Sequence, residues 1–464
     1  MIRKHILALG VALVLCIGQA FAQTSAVVDP ELVRLRHEWA TNFFEPASHM
    51  KLAKYFREKG NLLQAFYILE TARRGRFEPK VFDDAFLLHF GGFAPLDNSP
   101  AEEAKYIDLL KASPNDVKLL NHLADIYISR EEYSRGEPFL RSAYEKEPKN
   151  YRTLLALEEL YSRMGRPEAG TKLVKDFEAR YSDSVGGYFY RLSKLQVDSD
   201  EAKKLLVDAI AKYPDEGYFW FYKGLIAMRT KNLDEAEVSF VKATVLDKNS
   251  LRYQAAAASF FRVERKDLKR ALGYYLNLYF LDPHAHFDGF AEAKVSSVNA
   301  DIAKAAVDKA IAEGKAPESL FDDANPAVVG MALSKTLDGT RTEDLLKLMR
   351  HDDVTVRWIA MQMLTGFEGR KLDATVKELL KDPDLRVRGL AAYMAVKLWK
   401  NESFPEMKKL LNEKAQVLRF DAVSALLMLG GPEGKRIVIE HKAKEPSEYL
   451  KKMIESSLSE KDPS

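Results

Sequence analysis

Residues 217–250 read GYFWFYKGLIAMRTKNLDEAEVSFVKATVLDKNS, and this stretch decides the fold. Trp220 is followed four residues later by Gly224, and Ala236, Phe240 and Ala243 come after a short polar break. Small residues at these spacings let two antiparallel helices approach closely, while the Trp and Phe rings fill the space between one helix pair and the next. The stretch therefore predicts one helix–turn–helix unit of a repeat array.

The same pattern recurs along the chain with a period of 34 residues. A step of 34 back from Ala236, Phe240 and Ala243 gives Ala202, Leu206 and Ala209. Further copies contain Leu52, Ala53, Phe56, Ala65 and Ala72; Leu123, Ala124, Tyr127, Leu140 and Ala143; Leu157, Tyr161, Val174 and Phe177; and Ala271, Tyr275 and Leu278. The series resembles the tetratricopeptide repeat (TPR) family over residues 46–285. A degenerate unit lies around residues 80–115, where segment 91–95 adds a loop that ordinary repeats lack.

A shorter period of 31 residues follows in the last third of the chain. Asp353 to Arg357, Asp384 to Arg388, and Val417 to Arg419 each lead into an alanine. This Asp-x-x-Val-Arg pattern is similar to HEAT repeats, in which the Asp caps a helix and the Arg reaches a carboxylate of a neighbouring repeat. Ala415 replaces the Asp in the third unit, so we expect no side-chain cap there.

These two patterns predict an all-α fold, a right-handed superhelical solenoid of TPR helix pairs followed by HEAT-like pairs. The expected organisation is a signal peptide (1–22), an N-terminal helix (23–45), a TPR-like array (46–285), a helical joint (286–320) and a HEAT-like array (321–464). The N-terminal helix is expected to cover the exposed end of the first array.

The N-terminus predicts export. Arg3 and Lys4 precede an apolar stretch from Ile6 to Ile17, and a small-residue cleavage pattern ends at Ala22. The chain has 70 basic and 68 acidic residues, and loss of Arg3 and Lys4 leaves 68 of each. A neutral, exported chain has no long-range bias towards nucleic acid. Its single cysteine lies inside the signal, so the mature chain is expected to form no disulfide and to supply no catalytic thiolate.

An aromatic surface is the candidate binding site. The TPR resemblance implies binding by the inner face, which the first helix of each pair forms. In this sequence that face carries mainly aromatic and Arg side chains, which suit protein recognition. The predicted partner-binding residues are Tyr188, Arg191, Tyr218, Phe221, Tyr222, Leu225, Arg229, Tyr253 and Phe260. The alternative is that several of these rings belong to the core between repeats.

Other candidate sites are weaker. Asp282, His284, His286 and Asp288 lie within seven residues and have metal-ligating side chains, but two histidines without a third firm ligand favour a plain polar connection. No phosphate-binding Gly-rich loop, nucleophile elbow or Cys/His pair occurs in the sequence. We therefore predict neither enzymatic activity nor a cofactor, and we expect the mature chain to have no transmembrane segment.

The sequence thus predicts a non-enzymatic scaffold that binds protein or peptide partners in the periplasm of the bacterial cell envelope, or outside the cell. A binder of cell-wall carbohydrate or peptidoglycan is the alternative, because tyrosine rings also stack on sugars. A metal-dependent hydrolase centred on His284 and His286 is a third hypothesis.

Overall fold

The computed structural model describes residues 29–74, 79–90, 97–282, 291–336, 342–350, 354–365 and 372–459. Within these ranges all regular secondary structure is helical, and the predicted all-α repeat fold is confirmed. The signal segment 1–22, the loop 91–95 and the residues His284, His286 and Asp288 lie outside the described residues.

The chain forms two compact units. One is Phe93–Ala291, and the other joins the residues up to Gly92 with Glu292–Ser464. We refer to them as the central unit and the terminal unit. The boundary at Gly92 falls inside the range 46–285, which the sequence assigns to one array. The first helix pairs therefore belong to the same compact unit as the HEAT-like repeats.

The N-terminal part of the terminal unit has four helices, α1 (Pro30–Thr41), α2 (Pro46–Glu58), α3 (Leu62–Arg74) and α4 (Pro79–Phe90). The helices of the central unit are α5 (Pro100–Ala112), α6 (Val117–Ser129), α7 (Tyr133–Lys146), α8 (Tyr151–Arg163), α9 (Pro167–Tyr181), α10 (Val185–Lys194), α11 (Asp200–Lys212), α12 (Gly217–Arg229), α13 (Leu233–Leu246), α14 (Leu251–Val263) and α15 (Leu268–Leu281). The C-terminal helices are α16 (Ala291–Ala312), α17 (Pro326–Lys335), α18 (Thr342–Leu348), α19 (Val354–Thr365), α20 (Asp373–Leu379), α21 (Leu385–Trp399), α22 (Phe404–Leu410), α23 (Gln416–Leu429), α24 (Gly431–Lys442) and α25 (Glu448–Ser459). Two 3₁₀ turns, Pro317–Leu320 and Lys400–Ser403, connect some of them.

Helix starts in the central unit follow the 34-residue period, except that α10 and α12 begin 32 residues apart. The first helices α6, α8 and α10 begin at 117, 151 and 185, and α12 and α14 begin at 217 and 251. Side chains of Asp116, Asn150 and Ser250 accept hydrogen bonds from the backbone N–H groups of the first turn that follows each of them. Gly224 packs so closely on the Phe240 ring that an added Cβ atom would lie 2.8 Å from it. The glycine is therefore required for the helix pair to close.

The HEAT-like repeats follow the 31-residue period. Helices α19, α21 and α23 begin at 354, 385 and 416. Asp384 caps α21 by accepting a hydrogen bond from the backbone N–H of Arg386 at 2.9 Å, and Ala415 provides no side-chain cap for α23. Arg388 pairs with Glu413 of the next repeat, and Arg419 pairs with the fully buried Glu445 at 2.9 Å. The predicted pairing between repeats is confirmed for these two arginines.

The N-terminal helices of the terminal unit contact its last repeats. The Phe44 ring stacks on Tyr449 with ring centroids 4.3 Å apart and meets Phe420 edge-on at 5.4 Å. The Phe44 backbone N–H donates a hydrogen bond to the Gln416 side chain at 3.0 Å. The turn after α1 thus packs on α23 and α25, near the C-terminal end of the described chain.

A second set of contacts joins α3 to the start of the C-terminal part. The Asn299 side chain donates to the Tyr67 hydroxyl at 2.6 Å and accepts from Asn325 at 2.6 Å. Arg73 of α3 pairs with Glu292 of α16. Within the terminal unit, the N-terminal helices therefore contact both the first and the last of the C-terminal helices.

Candidate partner-binding site

A row of aromatic rings crosses the first helices of the central unit. Tyr151 stacks on Phe189 with centroids 4.2 Å apart and planes 6° apart, and Phe189 lies 4.0 Å from Tyr218. Phe221 stacks on Tyr253 at 5.2 Å, and Tyr218 and Phe221 are 6.2 Å apart. The rings come from α8, α10, α12 and α14, so four helices contribute to one continuous row of rings, in which Phe189, Phe221 and Tyr253 are buried.

Two glycines of α10 allow this arrangement. A Cβ atom on Gly186 would lie 2.3 Å from the Lys149 carbonyl oxygen, and one on Gly187 would lie 2.2 Å from the Tyr181 carbonyl oxygen. Only glycine fits such close backbone approaches. The start of α10 therefore sits against the chain that precedes α8, and Phe189 enters between Tyr151 and Tyr218.

Two arginines stand beside the rings. Arg152 and Arg252 are each the second residue of their helices, α8 and α14, and both side chains are exposed. The Arg152 guanidinium donates a hydrogen bond from Nε to the Tyr151 hydroxyl at 3.2 Å. We call Tyr151, Arg152, Tyr218, Arg252 and Tyr253 the tyrosine–arginine cluster.

The pKa values of Tyr218, Tyr253 and Arg152 are all raised. Burial raises the pKa of Tyr218 to about 12, helped by the neighbouring Tyr151 hydroxyl, whereas the charge of Arg252 acts in the opposite direction. Burial also raises the pKa of Tyr253, and both Glu216 and Arg152 act on it. The hydrogen bond to Tyr151 raises the pKa of Arg152. At neutral pH the site has neutral phenols beside two cationic guanidinium groups.

Most of the rings predicted for partner binding are core residues. Tyr188 and Phe260 are each only 1% exposed, and Phe221, Tyr222 and Tyr253 are also buried. The Tyr222 hydroxyl donates to the Leu192 carbonyl oxygen at 3.0 Å. The alternative that the sequence left open, a core between repeats, therefore describes these five side chains, and the expectation of an exposed aromatic face is corrected for them.

The remaining predicted residues lie at or near the surface. Tyr218 and Leu225 are half-buried. Arg191 is half-buried over the Tyr188 ring at 4.6 Å and donates to the Ser182 carbonyl oxygen at 2.9 Å. Arg229 is exposed and lies 3.8 Å from Asp198. Their role in partner binding stays a prediction.

Sequence analysis missed Tyr151, Arg152 and Arg252. The signal that identifies the two arginines is their common position, two residues after the capping residues Asn150 and Ser250. The position of a residue relative to the helix start therefore predicts these two arginines, whereas the number of aromatic residues in a segment does not.

The described residues contain neither a metal-binding cluster nor a membrane-spanning helix. In these ranges no group of three or more His, Cys, Asp or Glu side chains is placed to hold a metal ion. Asp282 is buried, and its predicted companions His284, His286 and Asp288 lie outside the described ranges. No described helix is long and apolar enough to cross a bilayer.

Comparisons with known proteins agree with the two repeat types. Residues 196–250 match the model of the tetratricopeptide repeat, and residues 342–427 match the model of HEAT repeats. The chain is thus a TPR/HEAT-like repeat protein. No curated protein matches the chain.

Two solved structures illustrate the resemblance in fold. Human IFIT1, solved as a dimer with m7Gppp-AAAA, is 14% identical with a TM-score of 0.30, and the match covers 86% of this chain and 98% of that one. Yeast Tom70 is 12% identical with a TM-score of 0.25, and the match covers 92% of this chain and 84% of that one.

Proposed function

We propose that the chain is a non-enzymatic scaffold that binds protein partners in the bacterial cell envelope. Repeat proteins of the TPR and HEAT types generally mediate protein–protein interaction. The observation that carries the proposal is the tyrosine–arginine cluster, in which the half-buried rings of Tyr151 and Tyr218 lie beside the buried Tyr253 and two exposed guanidinium groups, from three helices in all. Tyr and Arg are enriched among residues that dominate binding energy, because they bury large area and still form hydrogen bonds.

The proposed surface differs from the one predicted by sequence. Tyr222 and Phe221 are packed in the core, so alanine substitutions there remove packing as well as any contact with a partner. Tyr218 and Arg152 are better targets, because one is half-buried and the other is exposed. Substitution of Arg152 changes the surface alone, whereas substitution of Tyr218 also removes a ring that packs on Phe189.

The test is selection of peptides from an unbiased 12-residue display library on the full chain, followed by affinity measurement with synthetic peptides. We expect selected peptides to lose at least about tenfold in affinity for Tyr218→Ala, since an aromatic hot spot contributes about 2 kcal/mol or more. Val245→Ala is the matched control, because Val245 is 70% exposed on a second helix. Failure to select any peptide, together with binding to purified cell wall, would favour the carbohydrate-binding alternative.

The envelope location rests on the export signal, which we propose is cleaved after Ala22. N-terminal sequencing of the protein from the periplasmic fraction is expected to begin at Gln23. A protein that retains residues 1–22 and stays in the cytoplasm would contradict this part of the proposal.

A further inference from the structure

Helix α13 has apolar side chains on two opposite faces. The inner face, which includes Phe240, is buried against neighbouring helices. On the outer face Val238 is 64% exposed, Val245 is 70% exposed, and Val241 lies half-buried between them. We call these three residues the valine stripe. A helix that is apolar all round is normally covered on every side, so the stripe indicates a further contact.

The valine stripe is a feature of α13 and not of the repeat. The stripe positions lie two, five and nine residues after Ala236, the buried small residue that corresponds to Gly136, Gly170 and Ala202 of the earlier second helices. The equivalent residues are Pro138, Arg141 and Glu145 in α7, Lys172, Lys175 and Ala179 in α9, and Lys204, Val207 and Ala211 in α11. All of these are exposed, and only one is a valine. Since exposed valine lowers helix propensity and keeps apolar surface in water, the repeat fold alone gives no reason for three of them.

The valine stripe has the spacing of a seam between two packed helices. Its members follow one another at intervals of three and four residues, as positions a and d of a heptad do. Asp234 continues this spacing four residues before the stripe, and Lys248 continues it three residues after the stripe. Both are exposed, and the Asp234 side chain remains 92% exposed although it forms an ion pair with Arg265. The apolar seam therefore has an acid at one end and a base at the other.

These charges are arranged symmetrically about Val241. Asp234 lies seven residues before Val241, and Lys248 lies seven residues after it. A second α13 that runs antiparallel about a two-fold axis at Val241 therefore places each Asp234 opposite the Lys248 of the other copy. The same rotation places Val238 of one copy opposite Val245 of the other. The stripe is thus complementary to itself in both shape of pattern and charge.

The flanks of the valine stripe carry one further charge on each side. Glu237 is already paired with Arg265 and Arg270 of its own chain. Lys242 is half-buried on the other flank, and its two copies would lie near the axis. Their repulsion lowers the affinity of the antiparallel contact without changing its orientation.

We propose that the valine stripe is the contact between two copies of this chain, which pack antiparallel through α13 about a two-fold axis at Val241. Burial of the valines supplies the attraction, and the charged ends select the antiparallel orientation. Such a dimer carries two tyrosine–arginine clusters and therefore holds two partner molecules in one assembly. The inference goes beyond the proposed function and does not depend on it.

Sedimentation equilibrium of the full chain tests the proposal. We expect a dimer with a dissociation constant on the order of 10–100 μM, at the weak end for protein interfaces because one helix pair buries little area. Val238→Glu is expected to raise the dissociation constant at least about tenfold, because it buries unpaired charge in the seam. Val263→Glu is the matched control, because Val263 is 62% exposed at the end of α14, and it should change the constant less than about twofold.

A charge exchange tests the antiparallel orientation. Asp234→Lys and Lys248→Glu should each raise the dissociation constant at least about threefold at low salt, because each places like charges together at both ends of the two-fold contact. The combined variant Asp234→Lys/Lys248→Glu should return to within about twofold of the wild type, because opposite charges face each other again. Loss of the ion pair with Arg265 within one chain would not be repaired by the change at Lys248.

The results that would overturn the proposal are distinct from a failure of peptide binding, which is measured on the same chain in a separate assay. A full chain that stays monomeric at about 0.2 mM has no such dimer. A dimer whose dissociation constant is the same in the wild type and in Val238→Glu uses another surface. A combined charge exchange that is no better than the two single variants would rule out the antiparallel arrangement.

Discussion

Acidification is expected to loosen the N-terminal helices through His49, which is 1% exposed in α2. The Trp39 indole N–H donates to His49 Nδ1 at 3.0 Å, and the other ring nitrogen, Nε2, lies 2.7 Å from the Phe43 carbonyl oxygen. Both contacts are satisfied by the neutral ring with its proton on Nε2. Protonation of Nδ1 breaks the bond from Trp39 and leaves a charge in the core.

The size of the stability loss on acidification follows from the lowered pKa of His49. Burial lowers the pKa of His49 from 6.5 to about 4, so the unfolded chain binds a proton first as the pH falls. The contribution of His49 to stability is present above pH 6.5 and is lost as the pH falls towards 4. Between pH 7 and pH 5 the linkage relation gives a loss of about 2 kcal/mol.

Hydrogen exchange under increasing urea measures this loss in peptides that cover α1 and α2. His49→Gln is the matched variant, because the amide has one acceptor and one donor but does not titrate in this range. We expect the opening free energy of α1 in the wild type to fall by about 2 kcal/mol more than in the variant between pH 7 and pH 5. Equal losses in the two proteins would refute the reasoning.

Three substitutions test the packing of the terminal unit, each with a control measured by urea unfolding. Gly389→Ala is expected to destabilise by about 1–3 kcal/mol because its Cβ would lie 1.9 Å from an Asp421 carboxylate oxygen, whereas Gly330→Ala, with open space at that Cβ position, should be neutral or stabilising. Arg419→Gln should cost about 3 kcal/mol because it takes the guanidinium away from the buried Glu445, whose remaining partners are His441 and the Ser447 backbone N–H, whereas Arg436→Gln, with exposed partners, should have little effect. Phe44→Ala should cost about 3 kcal/mol through lost contacts with Phe420 and Tyr449, whereas Val33→Ala, at a residue 52% exposed, should cost less than about 0.5 kcal/mol. Equal effects within any of these pairs would contradict the packing described for it.

The repeat periods were predictable because the relevant contacts are local in sequence. Gly224 and Phe240 are close in the chain and meet within one helix pair, so their spacing alone indicates the fold. Arg388 and Arg419 each reach a carboxylate 25 or 26 residues later, which is also visible in the repeat. Such short-range relations leave a periodic pattern that can be read directly.

The terminal unit was not predictable in this way. Phe44 bonds to Gln416 across 372 residues, and no periodic pattern connects such distant positions.

The aromatic face was misjudged for a different reason. Helix α12 carries five consecutive large residues, Tyr218 to Tyr222, so its composition does not tell which ring faces the core. The packing of α10, α13 and α14 against it decides that Phe221 and Tyr222 are buried.

The central claim is that the partner binds at the tyrosine–arginine cluster. Hydrogen exchange of the full chain with and without a saturating library-selected peptide tests it most directly. We predict slower exchange at the N-terminal turns of α8, α12 and α14, and loss of this protection in Tyr218→Ala at the same peptide concentration. Protection that is confined to the HEAT-like helices α19 to α24, or unchanged in Tyr218→Ala, would contradict the account.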